Sequence, residues 1–281
     1  MIKDLVVPIT RTAGDANALN AALAIASAHG AHLSVLEFEN LPTLPAGPWG
    51  GVGFTADAIY RQCREEAEKN AVGWRERLDR ESPTLSSEVR IVESLFADAP
   101  GFAALHARYA DLTVMTMATD AVSDGAIIRG YFASLLLESG RPVLLVPPDY
   151  AWRPMGHVAV AWQPRREASR ALHDAMPFLA AAESVDLVEV GDISGRAGDG
   201  PLPGADIAAH LARHGLKVRV VTSPMHSGSV ALTLAKHARE TRADLLVCGG
   251  YGHSRMREWA MGGVTRELLA GAGAIPMLFS H

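Results

Sequence analysis

Near its C-terminal end the chain carries glycines spaced as Gly249-x-x-Gly252, nine further residues, then Gly262-Gly263. The first pair follows the apolar run Leu245-Leu246-Val247-Cys248, which reads as a strand; the second precedes Val264-Thr265 at what reads as a helix start. Without a Cβ, a glycine lets backbone N–H groups approach a ligand closely, and a helix start adds unpaired donors and the positive end of a dipole. That is the chemistry of a phosphate cradle. Glycines are also ordinary loop punctuation, so the spacing carries the reading. His253, Ser254, Arg255 and Arg257 lie between the clusters. Arg255 or Arg257 could grip phosphate oxygens with a bidentate fork, and a solvated basic turn is the blander alternative.

For catalysis the residues offer little. No Lys follows Gly252 or Gly263 as the Gly-x-x-x-x-Gly-Lys-Ser/Thr phosphate loop would require, and there is no Gly-x-Ser-x-Gly elbow or His-Glu-x-x-His pair. His210 and His214 share one face of an expected helix, a spacing that could chelate a metal, but no third ligand is evident and a surface face is favoured. Cys63 on an acidic helix and Cys248 at a buried strand end read as structural thiols.

The elements that must position the glycines occur twice. Asp4-Leu5-Val6-Val7-Pro8-Ile9 reads as a buried strand, Asp15 to His29 as a helix and His32 to Glu37 as a second strand; His157 to Trp162, Arg165 to Ala182 and Val185 to Val190 repeat that order. Ala110-Asp111-Leu112 parallels Ala243-Asp244-Leu245, and Arg141 to Val146 parallels Ile275 to Phe279. The expected strands lie near 4–9, 32–38, 87–92, 111–116 and 142–146, then 156–162, 184–190, 216–222, 244–249 and 275–279. Apolar strands alternating with amphipathic helices predict parallel sheets covered on both faces. Prolines between Pro147 and Pro154 mark the joint, giving domains at 1–148 and 154–281. Aligned on Asp111 and Asp244, the first half has Thr116, Thr119 and Arg129 where the second has Gly249, Gly252 and Gly262; only Gly130 matches, so this half lacks a cradle.

Hydrophobic residues make up 48% of the 281 and charged residues 20%, which supplies sizeable cores and argues against disorder. The N-terminal stretch does not resemble a secretion signal, no apolar run is long enough to span a membrane, and two unrelated cysteines make no disulfide framework; a cytoplasmic protein is expected. The net charge of −5 excludes a strongly basic nucleic-acid binder. Residues 1–150 hold 12 Lys+Arg against 19 Asp+Glu, whereas 151–281 hold 14 against 12, so the glycine-bearing half is the better host for an anion.

The glycine spacing, the strand before it, Gly262-Gly263-Val264-Thr265-Arg266-Glu267 after it, Ala161-Trp162-Gln163 and Ala243-Asp244-Leu245 together resemble the universal stress protein family, and the two halves on one plan resemble its tandem form. The resemblance implies an α/β fold of two tandem doubly wound five-stranded parallel sheets, order 3-2-1-4-5, like the adenine-nucleotide alpha-hydrolases. It implies ATP or another adenine nucleotide, with or without Mg, at the carboxyl ends of the strands. Carried over by position, Gly249, Gly252, Gly262 and Gly263 would line the phosphates, with Val264 and Thr265 at the helix start and His253 and Arg255 between. Ala161, Trp162 and Gln163 would meet the adenosine, and Val190 and Val221 would flank the base. Met225 and His226 could edge the site. Two residues depart from the pattern: Gln163 is an amide near where the family places an Asp, and Gly263 lacks the usual Ser or Thr hydroxyl. The function implied is a non-enzymatic stress response. A slow ATP hydrolase and a protein-binding scaffold with a lost site are the alternatives. The halves are expected to pack as an intramolecular pseudo-dimer along Pro142–Val146 and Pro276–Phe279, with a homodimer also open.

Overall fold

The computed structural model describes residues 1–42, 53–95, 97–118, 122–191, 204–250, 263–271 and 275–281. The apolar runs of the first half form β1 (Asp4–Pro8), β2 (His32–Leu41), β3 (Ser87–Leu95), β4 (Leu112–Thr116) and β5 (Val143–Val146). Those of the second form β6 (His157–Ala161), β7 (Ser184–Val190), β8 (Val218–Ser223), β9 (Leu245–Gly249) and β10 (Met277–Ser280). β1, β4, β5, β7 and β9 are buried over nearly their whole length, because helices cover both faces of a parallel sheet. Those helices are α1 (Asp15–His29), α2 (Gly53–Glu81), α3 (Ala99–Ala107), α4 (Val122–Glu138), α5 (Arg166–Asp174), α6 (Met176–Leu179), α7 (Ala205–Arg213), α8 (Val230–Glu240) and α9 (Gly263–Gly271).

The strand order is β3-β2-β1-β4-β5-β10-β9-β6-β7-β8. Each half is therefore a doubly wound sheet of order 3-2-1-4-5, with its own neighbours parallel. At the centre β5 and β10 run antiparallel, pairing Val143 with Phe279, Leu144 with Leu278 and Leu145 with Met277. The two sheets are thus one continuous sheet. Leu144 and Leu278 enter the core on one face; Val143, Leu145, Met277 and Phe279 enter the core on the other.

The repeated Ala-Asp-Leu has a structural explanation. The Asp111 carboxylate accepts the amides of Lys3 (2.7 Å) and Asp4 (3.2 Å), and Asp244 accepts those of Gly156 and His157, both at 2.9 Å. In each half one carboxylate fixes the start of the first strand beside the fourth.

The single helix expected from Arg165 to Ala182 is instead two, α5 and α6, meeting at Ala175. Pro177 has no N–H to continue the helical ladder, and its ring crowds the preceding turn. The break leaves α5 short, with its N-terminus under the cavity described next.

Candidate functional site

At the carboxyl ends of β6, β7 and β9 the sheet opens into a cavity of about 300 Å³, the lower end of the range for small-molecule sites. A parallel sheet places its crevice there because the strand order reverses, with the connections from β6 and β9 leaving on opposite faces. Ala161, Trp162 and Gln163 enter from the end of β6, Val188 and Val190 from β7, and Cys248 and Gly249 from β9. Arg165, Glu167 and Ala168 at the start of α5, Val230 and Leu234 on α8, and Gly263, Val264 and Thr265 opening α9 complete the lining.

Three helices thus point their N-termini at one space, where first-turn N–H groups have no helical partner. The starts differ. Ser229 caps α8 by accepting the Leu232 amide at 3.2 Å, and its own hydroxyl donates to the Glu267 carboxylate on α9, tying the two helices together. The cap of α5, Arg165, is extended and makes no side-chain capping bond. At α9, Gly263 and Val264 are exposed and Thr265 is buried. A Cβ added to Gly263 would meet no atom of the described residues within 4 Å, which leaves room at the helix start for a ligand. Donors and dipole ends gathered in this way favour an anion. Val188, Val190, Val230, Leu234 and Ala161 form the apolar side, suited to a flat ring.

Gly249 has a second duty. An added Cβ would stand 2.7 Å from both the Ala168 nitrogen and the Glu167 carbonyl carbon. The close approach of α5 to β9 therefore requires a glycine there, whatever the cavity holds. Trp162 is half-buried, packs against the core, and donates its amide to the Val188 carbonyl at 2.9 Å, which closes the β6–β7 corner of the cavity. Burial pushes the Cys248 thiol up to about 12, so it stays neutral and lines the wall as a small apolar group.

Of the residues singled out in the sequence, Ala161, Trp162, Gln163, Val190, Gly249, Gly263, Val264 and Thr265 come together around this cavity. Gly252, His253, Arg255 and Gly262 lie outside the described residues, as does Thr119. Val221 lies outside the lining. It sits on edge strand β8, paired with Val188, and Val188 reaches the cavity from the strand nearer the centre. The two-residue alternation of a strand, counted back from Val190, was the signal for Val188. Val230 and Leu234, one helical turn apart, carried no sequence signal beyond core spacing. Met225 is exposed, and neither it nor His226 lines the cavity. The His210 and His214 rings stand 4.8 Å apart with His173 next to them, and no group of three His, Cys, Asp or Glu among the described residues is arranged to hold a metal.

The corresponding region of the first half is lined differently among the described residues. Pro8 pairs with Leu36 as Ala161 pairs with Val188, so Phe38 stands where Val190 stands. Phe38 is fully buried and its ring packs edge-on against Tyr131 of α4, with centroids 5.6 Å apart. Thr116 is buried where the second half has Gly249, and Arg129 and Gly130 lie inside α4, away from its start.

Residues 157–278 match the sequence profile of the universal stress protein family. No curated protein matches the chain in sequence. Among solved structures, a universal stress protein from Archaeoglobus fulgidus DSM 4304 is similar over 99% of this chain and 95% of its own, with a TM-score of 0.66 at 14% identity. A Pseudomonas aeruginosa UCBPP-PA14 protein assigned to the universal stress proteins is similar over 99% of this chain and 93% of its own, with a TM-score of 0.55 at 15% identity. A protein of unknown function from Pseudomonas aeruginosa PAO1 gives 0.53 at 14% identity, over 99% and 92% of the two chains. At such identities the likeness is one of fold, and it runs through both halves.

Proposed function

We propose that this protein, whose residues 157–278 match the sequence profile of the universal stress protein family, is a non-enzymatic stress-response protein that binds ATP or a related adenine nucleotide in its second half. The observation that carries the reading is the joint lining of one cavity by apolar strand ends and by the N-termini of α5, α8 and α9. The base would lie against Val188, Val190, Val230 and Leu234, and the phosphates would face Gly263, Val264 and Thr265. A Mg ion would travel with the phosphates. Glu167 is the one acidic residue among the described lining residues. The first half, where Phe38 and Tyr131 pack together in place of the Val190 corner, serves as a structural partner in an intramolecular pseudo-dimer, with domains at 1–148 and 154–281. No helix among the described residues is long and apolar enough to cross a membrane, consistent with the cytoplasmic location we propose.

The test is calorimetric titration with ATP, ADP and AMP, alongside mass spectrometry of ligand released from freshly purified protein. Gly263→Asp is the decisive variant. Its side chain meets none of the described residues and starts a helix with a favoured acid, so the fold should hold while the carboxylate repels phosphate. We expect a loss of at least ~10-fold in ATP affinity, the scale of a lost charged hydrogen bond. Equal affinity in wild type and variant would remove the phosphates from this helix start. A wild type that neither retains nor binds nucleotide would leave the scaffold reading.

A further inference from the structure

All the described residues that line the cavity belong to the second half, but the packing behind its wall does not. Gly250, next in the chain after Gly249, is held on three sides. Its amide donates to the Ser280 carbonyl at 2.7 Å, and its carbonyl accepts from the His281 ring at 3.1 Å. Over its Cα lies Leu136 of α4, from the first half. An added Cβ would stand 2.6 Å from the Leu136 Cδ2. Leu136 is 1% exposed, and one turn earlier the fully buried Phe132 packs edge-on against Phe279 of β10, with centroids 5.3 Å apart.

The segment just beyond the same end of α4 also touches α5. Arg170 of α5 donates to the Gly140 carbonyl, just beyond the end of α4, at 2.6 Å. Its Nε lies 3.2 Å from the Asp174 carboxylate, which accepts the Ser280 hydroxyl at 2.8 Å. One helix end of the first half therefore touches both α5, whose start lines the cavity, and the glycine segment that leaves β9.

We propose that Leu136 is a positioning residue for the second-half cavity, so that ligand affinity there depends on a side chain of the first half. This rests on the nucleotide reading above. A Leu side chain seated on a glycine sets how far the end of β9 can move toward α4, because a well-packed contact has neither a void to collapse into nor slack to expand. Gly249 is pinned against α5 from the other side. Its distance from the start of α9 is then set from both halves at once.

The test is a double-mutant cycle read by calorimetry with ADP as the probe. Leu136→Ala opens a void over Gly250, and Gly250→Ala pushes a methyl into Leu136. In the double variant the new methyl occupies the space that the leucine left. We expect at least ~5-fold weaker ADP binding for Leu136→Ala, ~3-fold for Gly250→Ala, and near wild-type affinity for the pair, the size of coupling that touching side chains show. Leu78→Ala, in the first-half core on α2, should lower the melting temperature and leave affinity unchanged. Leu136→Met, close in volume, should bind like wild type and keeps the test open if the alanine variant does not fold.

If wild type binds ADP and Leu136→Ala binds it equally well, the positioning role is wrong and the nucleotide reading survives. Losses that add across the cycle, or that Leu78→Ala shares, reduce Leu136 to a general core residue and overturn the proposal. No ADP binding by wild type overturns the nucleotide reading and this proposal with it.

Discussion

Asp15, which opens α1, is a buried residue, 4% exposed. Burial raises its pKa from 3.8 to about 6, and the Thr10 hydroxyl at 2.7 Å offsets only part of that cost. A raised carboxyl pKa means that ionisation opposes folding. Its stabilising neutral form is fully present below pH 4 and is lost as pH climbs through 6. Asp15→Asn should therefore stabilise the protein at pH 7 by roughly 2–3 kcal/mol and change little at pH 4. Urea denaturation at the two pH values checks both the sign and the pH dependence. Gly263 shows the limit of reading single residues. Its missing hydroxyl is visible in the sequence, whereas the lack of any described neighbour within 4 Å of an added Cβ needs the packed helix.

At the scale of elements, the two halves solve one packing problem in opposite ways. Where the first helix of each half approaches the end of the fourth strand, only one partner can carry a side chain. In the second half the strand yields, with Gly249 against the backbone of Glu167 and Ala168. In the first half the helix yields: a Cβ on Gly14 would stand 1.9 Å from the Thr116 Oγ1 and 2.7 Å from its Cβ. Gly14→Ala should destabilise by about 1–3 kcal/mol as an overpacked contact. Thr116→Gly in the same chain should recover at least ~1 kcal/mol of that, measured as coupling in chemical denaturation.

This exchange explains part of what the sequence could convey. The strands and α1 were legible because buried parallel strands are continuous apolar runs and α1 is bounded by a turn and by Gly30, whose φ of 60° ends it. The glycine at 249 was legible as a residue but not as a cause, since its nearest neighbours lie more than eighty positions away. Val188 was missed although strand alternation from Val190 pointed to it, whereas Val230 and Leu234 became site residues only through the placement of α8. The break at Ala175 was present in the sequence as Pro177, hidden inside an otherwise helical pattern.

At the scale of the whole molecule, the β5–β10 pairing joins two sheets that would otherwise each end in an apolar edge. Residues 154–281 expressed alone would leave Met277–Phe279 without the partners they have at Val143–Leu145. We expect that fragment to self-associate in size-exclusion chromatography, because an exposed flat apolar edge recruits another strand. Mixing in residues 1–148 should convert it to a one-to-one complex.

The same pairing has a consequence for the order in which the chain is made. During synthesis β5 emerges early, with its inner neighbour β4 already present. Its other neighbour, β10, follows only after the whole of the second half has been translated. Through that interval the first half carries an unprotected edge, and nascent chains on neighbouring ribosomes offer one another an identical strand. Correct closure is then a race between making β10 and meeting a neighbour. A faster translating or less crowded ribosome favours the native sheet.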